Sequence, residues 1–446
     1  MPELQRTYRG SAARPEEDLD RRGPERAVVI ASLPGDAEEG DRLAEFEELL
    51  RTAGAEVVET LVQRRDQPVP RTYLGKGRLE ELKLAVERRA PDLVAAEGPL
   101  TPGQQRSLED RLKTRVVDRT AVILDIFAQH ARSAEGKLQV ELAQLEYSYA
   151  RQEGLWQHLE RLGGGVGTRG PGETQLESDR RLLRSRMATL RRRLRDVART
   201  RETQRERRAA APAPRVALAG YTNAGKSSLM NALTGAGVRA DDALFETLDP
   251  TTRRVAADGH ELLLSDTVGF IRNLPHQLVT AFSATLEEVR DADLILHVAD
   301  AHEPEGRRAA QARAVADVLD DIGASQVPRL VVLNKIDLVP AGDRAALANR
   351  QPRAVRVSAV TGEGLDELRS RLADAARVRL TPVELTIPYA QSGLISAVYS
   401  DGREIEQEST EEGTRVRALM PAAAAARLRA ALNGGASSPK PAPKGS

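Results

Sequence analysis

The chain has 446 residues, which is more than one ordinary hydrophobic core accommodates and predicts roughly two to four domains. It carries 66 Lys and Arg residues against 66 Asp and Glu residues, so net charge alone predicts no polyanionic partner, and the 3% aromatic content argues against base stacking as a dominant nucleic-acid contact. The absence of cysteine excludes disulfides, thiolate metal sites and cysteine nucleophiles; with no apolar signal segment and no run of about 18 apolar residues, it predicts a cytoplasmic protein without a membrane span.

The N-terminal third of the sequence alternates between strand-like and helix-like patterns. Residues 1–26 are polar and charged and are predicted to be disordered. Between 27 and 132, short apolar runs alternate with segments of helical spacing, which is typical of a small open α/β sheet. Apolar runs lie at 27–33, 56–62, 93–96 and 116–127, and helical spacing occurs at 41–53, 79–86 and 102–112.

Residues 133–213 carry two apolar stripes at heptad spacing. The stripes are Leu138, Leu142, Leu145, Tyr149, Trp156 and Leu159, and Leu183, Met187, Leu190, Leu194 and Val197. Each stripe requires a partner helix to bury it. A glycine-rich segment at 163–172 joins them, which predicts an antiparallel helical hairpin with a glycine-rich tip. The alternative is that each helix packs on a neighbouring domain and the glycines form a flexible connector.

The second helix of this hairpin is strongly basic. Residues 179–208 contain 13 Arg and 4 acidic residues, a local net charge of +9. Guanidinium groups bind phosphate bidentately and stack on bases, so an Arg-rich helix suits RNA. The alternative is a solvated face balanced by acids on the partner helix. The candidate RNA contacts are Arg169, Arg180, Arg181, Arg184, Arg191, Arg192, Arg193 and Arg195.

A phosphate-binding pattern follows the linker at 210–214. An apolar run at 215–219 leads into G-x-x-x-x-G-K-[ST] and then a helical segment, which is the strand–loop–helix context that this motif requires. The glycines let backbone N–H groups point at phosphate oxygens, Lys226 is expected to reach the β and γ phosphates, and the Ser227 hydroxyl suits Mg²⁺. The predicted nucleotide-binding residues here are Gly220, Tyr221, Thr222, Asn223, Ala224, Gly225, Lys226, Ser227 and Ser228.

Two further segments are expected beside the phosphates. The apolar run at 262–265 ends in D-x-x-G, where the Asp266 carboxylate can hold Mg²⁺ through a water and Gly269 can bring its N–H to the γ-phosphate. Residues 245–252 form the expected switch segment, in which a threonine hydroxyl reaches Mg²⁺. Thr247 is the first choice, and Thr251 and Thr252 are the alternatives. The predicted binding residues are Phe245, Glu246, Thr247, Leu248 and Asp249, with Asp266, Thr267, Val268 and Gly269.

The motif N-K-x-D after the apolar run at 329–333 predicts the choice of base. The Asp337 carboxylate can accept hydrogen bonds from N1–H and the N2 amine of guanine, whereas adenine offers neither, a mismatch of roughly 1–3 kcal/mol. The Lys335 stem can cover the base face, and a backbone N–H near Ser358 can reach guanine O6. The predicted contacts are Asn334, Lys335, Ile336, Asp337, Ser358, Ala359 and Val360, so the expected ligands are GTP and GDP.

The residue after Gly269 bears on catalysis. Ras-like GTPases carry a Gln at this position that orients the attacking water. Here it is Phe270, which cannot hydrogen-bond a water. The sequence therefore predicts slow intrinsic hydrolysis that a partner surface completes. It identifies no catalytic residue, and Gly269 and Thr247 are expected to assist.

The C-terminal part is short. Residues 380–433 start with a strand-like run at 383–388 and end in an Ala-rich helix at 422–432. The predicted fold class is α/β: a P-loop GTPase domain with a mostly parallel sheet flanked by helices, an N-terminal α/β domain, an antiparallel helical hairpin and a small C-terminal α+β domain. The predicted boundaries are 1–26 (disordered), 27–132, 133–213, 214–379, 380–433 and 434–446 (disordered).

The segments GYTNAGKSS, FETLDPTTR, DTVGFI, NKID and VSA, in this order, resemble the HflX family of translation-associated GTPases. TYLGKGRLEEL at 72–82 and GGGVGTRGPGETQLESDRR at 163–181 extend the resemblance over most of 27–380. It implies binding to the large ribosomal subunit and its RNA, GTP-dependent separation of stalled or idle ribosomes, and Ser227 and Thr247 as Mg²⁺ ligands.

Two questions stay open at this stage. Some members of that family use ATP through the N-terminal domain, which leaves ATP open here, although no second phosphate loop is found. The alternative function is an RNA-remodelling or RNA-chaperone protein whose RNA binding is regulated by nucleotide. The chain is expected to be monomeric.

Overall fold

The computed structural model describes residues 23–35, 39–162, 171–209, 213–235, 245, 251–272, 283–377 and 380–434. The glycine-rich tip at 163–170, most of the two terminal segments predicted to be disordered and the switch residues 246–249 lie outside these residues. Three sheets are present in the described part of the chain.

The first sheet belongs to the N-terminal unit, here residues 25–130. Its elements are β1 (Glu25–Leu33), α1 (Glu39–Thr52), β2 (Ala55–Arg64), α2 (Lys76–Arg89), β3 (Leu93–Ala96), α3 (Pro102–Leu112), β4 (Arg115–Asp118) and α4 (Arg119–His130). The strands are parallel in the order β2-β1-β3-β4. The predicted apolar run at 116–127 divides at Asp118, because this side chain accepts a hydrogen bond from the Ala121 amide at 3.0 Å and caps α4.

Helices α5 (Ala134–Leu162) and α6 (Pro171–Ala209) form the hairpin. Leu142 and Leu145 of α5 pack in one hydrophobic cluster with Leu183, Met187 and Leu190 of α6. These parts of the two apolar stripes therefore bury each other, which is the arrangement that the hairpin prediction requires, while the side chains of Trp156 and Leu159 lie outside the described residues.

The second sheet is the GTPase-type sheet. Its elements are β5 (Arg215–Gly220), α7 (Lys226–Thr234), β6 (Thr251–Ala257), β7 (His260–Asp266), α8 (Ser283–Arg290), β8 (Leu294–Asp300), α9 (Glu305–Asp321), β9 (Arg329–Asn334), α10 (Ala341–Arg350), β10 (Val355–Arg356) and α11 (Leu365–Arg377). The strand order is β10-β9-β8-β5-β7-β6, with only β6 antiparallel to its neighbour. The carboxyl ends of β5, β7, β8 and β9 therefore lie along one edge, where ligands of open α/β sheets bind.

The C-terminal unit has an antiparallel sheet in the order β11-β13-β12. Its elements are β11 (Leu380–Ile387), α12 (Leu394–Asp401), β12 (Arg403–Thr410), β13 (Gly413–Pro421) and α13 (Ala422–Gly434). Val398 of α12 and Leu428 of α13 pack in one cluster with Val383 and Val416 of the sheet. The predicted α/β fold class with a small α+β domain is confirmed.

The N-terminal unit and the GTPase-type sheet share one hydrophobic core. Phe46 of α1 and Phe127 of α4 belong to the same buried cluster as Tyr221, Phe245 and Phe270. The last three residues lie in the segments predicted to surround the phosphates, so the N-terminal unit packs directly behind the candidate site. None of the described helices is long and apolar enough to cross a membrane.

Candidate functional site

The phosphate loop, residues 220–227, connects the end of β5 to the start of α7. Gly225 has φ +82°, and a Cβ added there would lie 2.4 Å from the Asn334 side-chain nitrogen, so only glycine fits this bend. Lys226 is buried, and its ammonium group donates to the carbonyl oxygens of Gly220 and Tyr221 at 3.2 and 3.0 Å. The lysine therefore lies over the loop whose amides are expected to hold phosphate.

Two oxygen-bearing side chains that suit Mg²⁺, Ser227 and Asp266, lie side by side next to this loop. The Ser227 hydroxyl donates to Oδ2 of Asp266 at 2.8 Å, and Asp266 is only 2% exposed. The other carboxylate oxygen accepts the Thr267 amide at 3.0 Å, which fixes its orientation. A hydroxyl next to a fixed carboxylate matches the chemistry of a Mg²⁺ site that is completed by phosphate and water.

Phe270 is held against the phosphate loop by its backbone. Its amide donates to the Gly220 carbonyl at 3.0 Å, and its carbonyl accepts the Thr222 amide at 2.8 Å. Its ring is 1% exposed and lies in the shared core. The side chain at the usual Gln position is therefore buried in the core and not exposed to solvent.

Gly269 lies close to Lys226. A Cβ on Gly269 would be 3.0 Å from Nζ of Lys226 and 2.8 Å from Cγ2 of Thr222. Thr267 and Val268 complete this turn, and the Thr267 hydroxyl donates to the Leu218 carbonyl at 2.6 Å.

Asn334 ties the phosphate loop to the base side of the site. Its Nδ2 donates to the carbonyls of Ala224 and Gly225 at 3.0 and 3.4 Å, and its Oδ1 accepts the Ala359 amide at 3.1 Å. Lys335 donates to Asp300 at 2.8 Å, across the ends of β8 and β9.

Asp337 differs from Asn334 and Lys335 in its hydrogen bonding. Its Oδ1 is buried and accepts no hydrogen bond from the part of the chain that the structure describes. A buried carboxylate oxygen without a donor is costly unless a ligand supplies one. Asp337 lies on a 3₁₀ turn, Ile336–Leu338, directly after β9.

Two backbone amides near Ser358 donate hydrogen bonds within the chain. The Ser358 amide donates to the Glu363 carbonyl at 2.9 Å, and the Ala359 amide donates to Asn334. Val360, which is 85% exposed, follows them. The amides of Ser358 and Ala359 are thus bonded within the chain, and the contact of an amide of this segment with guanine O6 stays a prediction.

The expected switch segment is described only at its first residue and at its end. The ring of Phe245 packs edge-on against Phe127 of α4, with ring centroids 4.7 Å apart. Thr251 and Thr252 lie in β6, and the Thr252 hydroxyl is 2.8 Å from that of Ser265. Glu246, Thr247, Leu248 and Asp249 lie outside the described residues, so Thr247 as a Mg²⁺ ligand stays a prediction.

The predicted RNA-contacting arginines fall into two groups. Arg180 and Arg184 lie over the Tyr149 ring and donate to its hydroxyl, and Arg191 pairs with Glu146 at 2.8 Å. These three arginines are thus engaged within the hairpin, but only the Arg191–Glu146 pair is the balance by acids that the solvated-face alternative predicts. Arg181, Arg192, Arg193 and Arg195 are exposed, and Arg169 lies outside the described residues.

Sequence reasoning missed a set of contacts behind the phosphate loop. The Tyr221 hydroxyl donates to Glu45 of α1 at 2.5 Å, and Glu45 forms a buried ion pair with Arg119 of α4. Arg272 is also within 4.0 Å of Glu45. No local pattern identifies these partners, because Glu45 and Tyr221 are 176 positions apart.

Models of known protein families match most of the chain. Residues 40–128 match the family model described as GTP-binding GTPase N-terminal, 130–208 its middle region, 215–335 the 50S ribosome-binding GTPase model and 344–440 the HflX C-terminal domain. The chain is 45% identical to GTPase HflX of Escherichia coli over 393 residues, covering 87% of this chain and 91% of that protein. It is 46% identical to GTPase HflX of Lacrimispora saccharolytica, covering 89% and 94%.

Among solved structures, the chain is similar to a GTP-binding protein from Sulfolobus solfataricus in complex with GDP. The identity is 24%, the match covers 79% of this chain and 98% of that chain, and the TM-score is 0.42.

Proposed function

The chain belongs to the HflX family of GTPases, and from this premise we propose that it hydrolyses Mg²⁺-bound GTP while associated with the large ribosomal subunit, and thereby separates stalled or idle ribosomes. The observation that carries the nucleotide part is the buried Oδ1 of Asp337, which accepts no hydrogen bond from the described stretches of the chain. Guanine offers two N–H donors on its Watson–Crick edge, and adenine cannot supply that pair. A buried acceptor at the end of β9 therefore selects GTP over ATP.

The residues around the expected phosphates and Mg²⁺ each have a proposed role. In this proposal Lys226 binds the β and γ phosphates, and Gly269 donates its amide to the γ-phosphate. Ser227, oriented beside Asp266, would hold Mg²⁺ with Thr247 of the switch segment. The ion, when bound, neutralises charge that develops on the phosphate oxygens.

Hydrolysis needs a group that orients water, and Phe270 does not supply one. Its ring is buried in the core, and both of its backbone polar groups are bonded to the phosphate loop. The attacking water must therefore be positioned by backbone groups, by the switch segment or by the partner. Hydrolysis by the free chain should be slow, and large ribosomal subunits should accelerate it.

The hairpin is the proposed RNA-binding element. Arg192 and Arg193 are exposed and adjacent on α6, and the described residues record no internal ion pair for either. Arg191, by contrast, is paired with Glu146. The 50S ribosome-binding GTPase model, matched at 215–335, supports the choice of partner.

Co-sedimentation with large ribosomal subunits tests this proposal. The wild-type chain should sediment with subunits when bound to a non-hydrolysable GTP analogue and much less when bound to GDP. The double reversal Arg192→Glu and Arg193→Glu should weaken this binding by about 10-fold or more, since each lost phosphate contact removes counterion release.

The matched control is Arg353→Glu with Arg371→Glu, which makes the same charge change at exposed arginines outside the hairpin. This control should retain binding, and both double variants should keep their affinity for GDP. Equal binding of all three proteins at moderate salt would contradict the role of the hairpin.

Two other activities remain predictions. Unwinding of structured RNA that persists in Lys226→Ala would favour the RNA-remodelling alternative, in which nucleotide is only a regulator. ATP binding by the N-terminal unit would appear as ATP uptake that saturating GDP does not displace.

A further inference from the structure

Lys335, on the base side of the candidate site, has a backbone conformation that is unusual for a residue with a side chain. Its φ is +63°, in the left-handed region. Strain of this kind persists only where the surrounding structure enforces it, and it is concentrated at ligand sites. Lys335 lies between Asn334, which bonds to the phosphate loop, and the turn that carries Asp337. The contacts that hold Lys335 in place therefore bear on nucleotide binding.

Asp300 holds the other end of this lysine. It is the last residue of β8 and lies opposite Asn334 in the register with β9. Its Oδ2 accepts the Lys335 ammonium at 2.8 Å, and its Oδ1 accepts the His302 amide at 2.9 Å. Because its two oxygens are bonded to different partners, the carboxylate has a fixed orientation.

The pair is shielded from water more than a typical surface ion pair. The side chains of Lys335 and Asp300 are 25% and 14% exposed. Exposed ion pairs contribute little because water screens them and both side chains move. Here one partner is fixed by a second hydrogen bond, so the ammonium has one preferred position.

The direction of the Lys335 stem follows from its two fixed ends. The stem passes beside the phosphate loop, since its Cε lies 4.0 Å from the position of a Cβ built on Gly225. The methylene groups of a lysine can cover an apolar surface while the ammonium stays with a polar partner. A purine face is such a surface, and in the proposed site the base lies between the phosphate loop and Asp337.

We propose that Asp300 is a positioning residue for guanine binding: it holds the Lys335 ammonium so that the lysine stem covers one face of the base. The inference rests on the proposed nucleotide site and adds to it a residue that belongs to none of the motifs. Asp300 strengthens binding through the face of the purine, whereas Asp337 selects the purine at its edge.

The test is a double-mutant cycle on GDP affinity, measured by fluorescence titration of the full chain with Mg²⁺ present. Asp300→Asn removes the charge that holds the ammonium, and Lys335→Met removes the ammonium but keeps an unbranched apolar stem. Each variant should weaken GDP binding by about 5- to 10-fold, the equivalent of one hydrogen bond. In the Lys335→Met background, Asp300→Asn should have no further effect.

Inosine diphosphate provides a second readout. Hypoxanthine and guanine present similar faces, but hypoxanthine lacks the N2 amine at its edge. Asp300→Asn should therefore weaken both diphosphates equally and leave their affinity ratio unchanged. Asp337→Asn should reduce that ratio, because it alters the group that reads the edge.

Glu80→Gln is the matched control. Glu80 pairs with Lys83 at 2.9 Å in α2, so the substitution removes a carboxylate charge from a lysine ion pair outside the GTPase-type sheet. It should leave GDP affinity unchanged.

The outcomes separate this inference from the proposed function. An unchanged GDP affinity in Asp300→Asn would overturn the inference. A loss that persists in full in the Lys335→Met background would also overturn it, because Asp300 would then act only through the turn that holds the His302 amide. If the wild-type chain binds no GDP, the proposed site itself is wrong. Melting curves check each variant, and if Asp300→Asn does not fold, Asp300→Ser takes its place in the cycle, since serine keeps an acceptor for the His302 amide without the charge.

Discussion

Asn334 is the residue whose removal should damage the nucleotide site most for its size. It is 2% exposed, and its side chain bonds to Ala224 and Gly225 in the phosphate loop and to Ala359 beside the base. Asn334→Ala removes all three hydrogen bonds and leaves buried backbone groups unpaired. At about 1 kcal/mol for each bond, and less for the 3.4 Å contact, the loss is about 2–3 kcal/mol, or about 30- to 150-fold in affinity.

The assay is a fluorescence titration with GDP, accompanied by a thermal melt of each protein. Asn349→Ala is the control, because Asn349 is an exposed residue of α10 with no side-chain hydrogen bond recorded in the described residues. The control should bind GDP like the wild type. If Asn334→Ala binds GDP within threefold of the wild type while remaining folded, the idea that this side chain joins the two halves of the site is refuted.

Three further changes test other parts of the account. Gly269→Ala should slow GTP turnover more than it weakens GDP binding, measured by single-turnover hydrolysis, because the new Cβ would lie 3.0 Å from Nζ of Lys226. Asp337→Asn should weaken GDP binding by about 10-fold or more, measured by titration, since it replaces a double acceptor with one acceptor and a donor facing guanine donors. Burial and a nearby arginine lower the pKa of His297 to about 4, from an ordinary 6.5. Between those values the unfolded chain binds a proton that the folded chain does not, so the free energy of unfolding should fall as pH decreases, and chemical denaturation should show a shallower pH dependence in His297→Gln. A slope that is unchanged in this variant would contradict the assignment.

The local motifs predict the fold class and the GTPase family because each motif is short. The residues of one motif lie within a few positions of each other, at the end of a strand or in the loop after it. The phosphate loop is followed by a helix that starts at Lys226, and Asp266 and Asn334 end parallel strands, as their spacing indicates. The sequence also predicts the hairpin, because two apolar stripes at heptad spacing need partner helices and the glycine-rich segment between them allows the two helices to pack on each other.

Contacts between distant segments could not be predicted from the sequence. Tyr221 was expected at the nucleotide, yet its side chain points into the N-terminal unit and bonds to Glu45. The arginines of α6 form one continuous basic run in the sequence, but their partners depend on the rotation of α6 against α5. This rotation pairs Arg191 with Glu146 and leaves Arg192 exposed.

The most direct test of the central claim is displacement of fluorescent GDP from the full chain by unlabelled GTP and by ATP, with Mg²⁺ present. Only nucleotides that compete for the same site register in this measurement. We expect GTP to displace the probe at concentrations at least about 100-fold lower than ATP, because adenine leaves the buried Asp337 oxygen without a donor. Equal displacement by GTP and ATP would contradict the account.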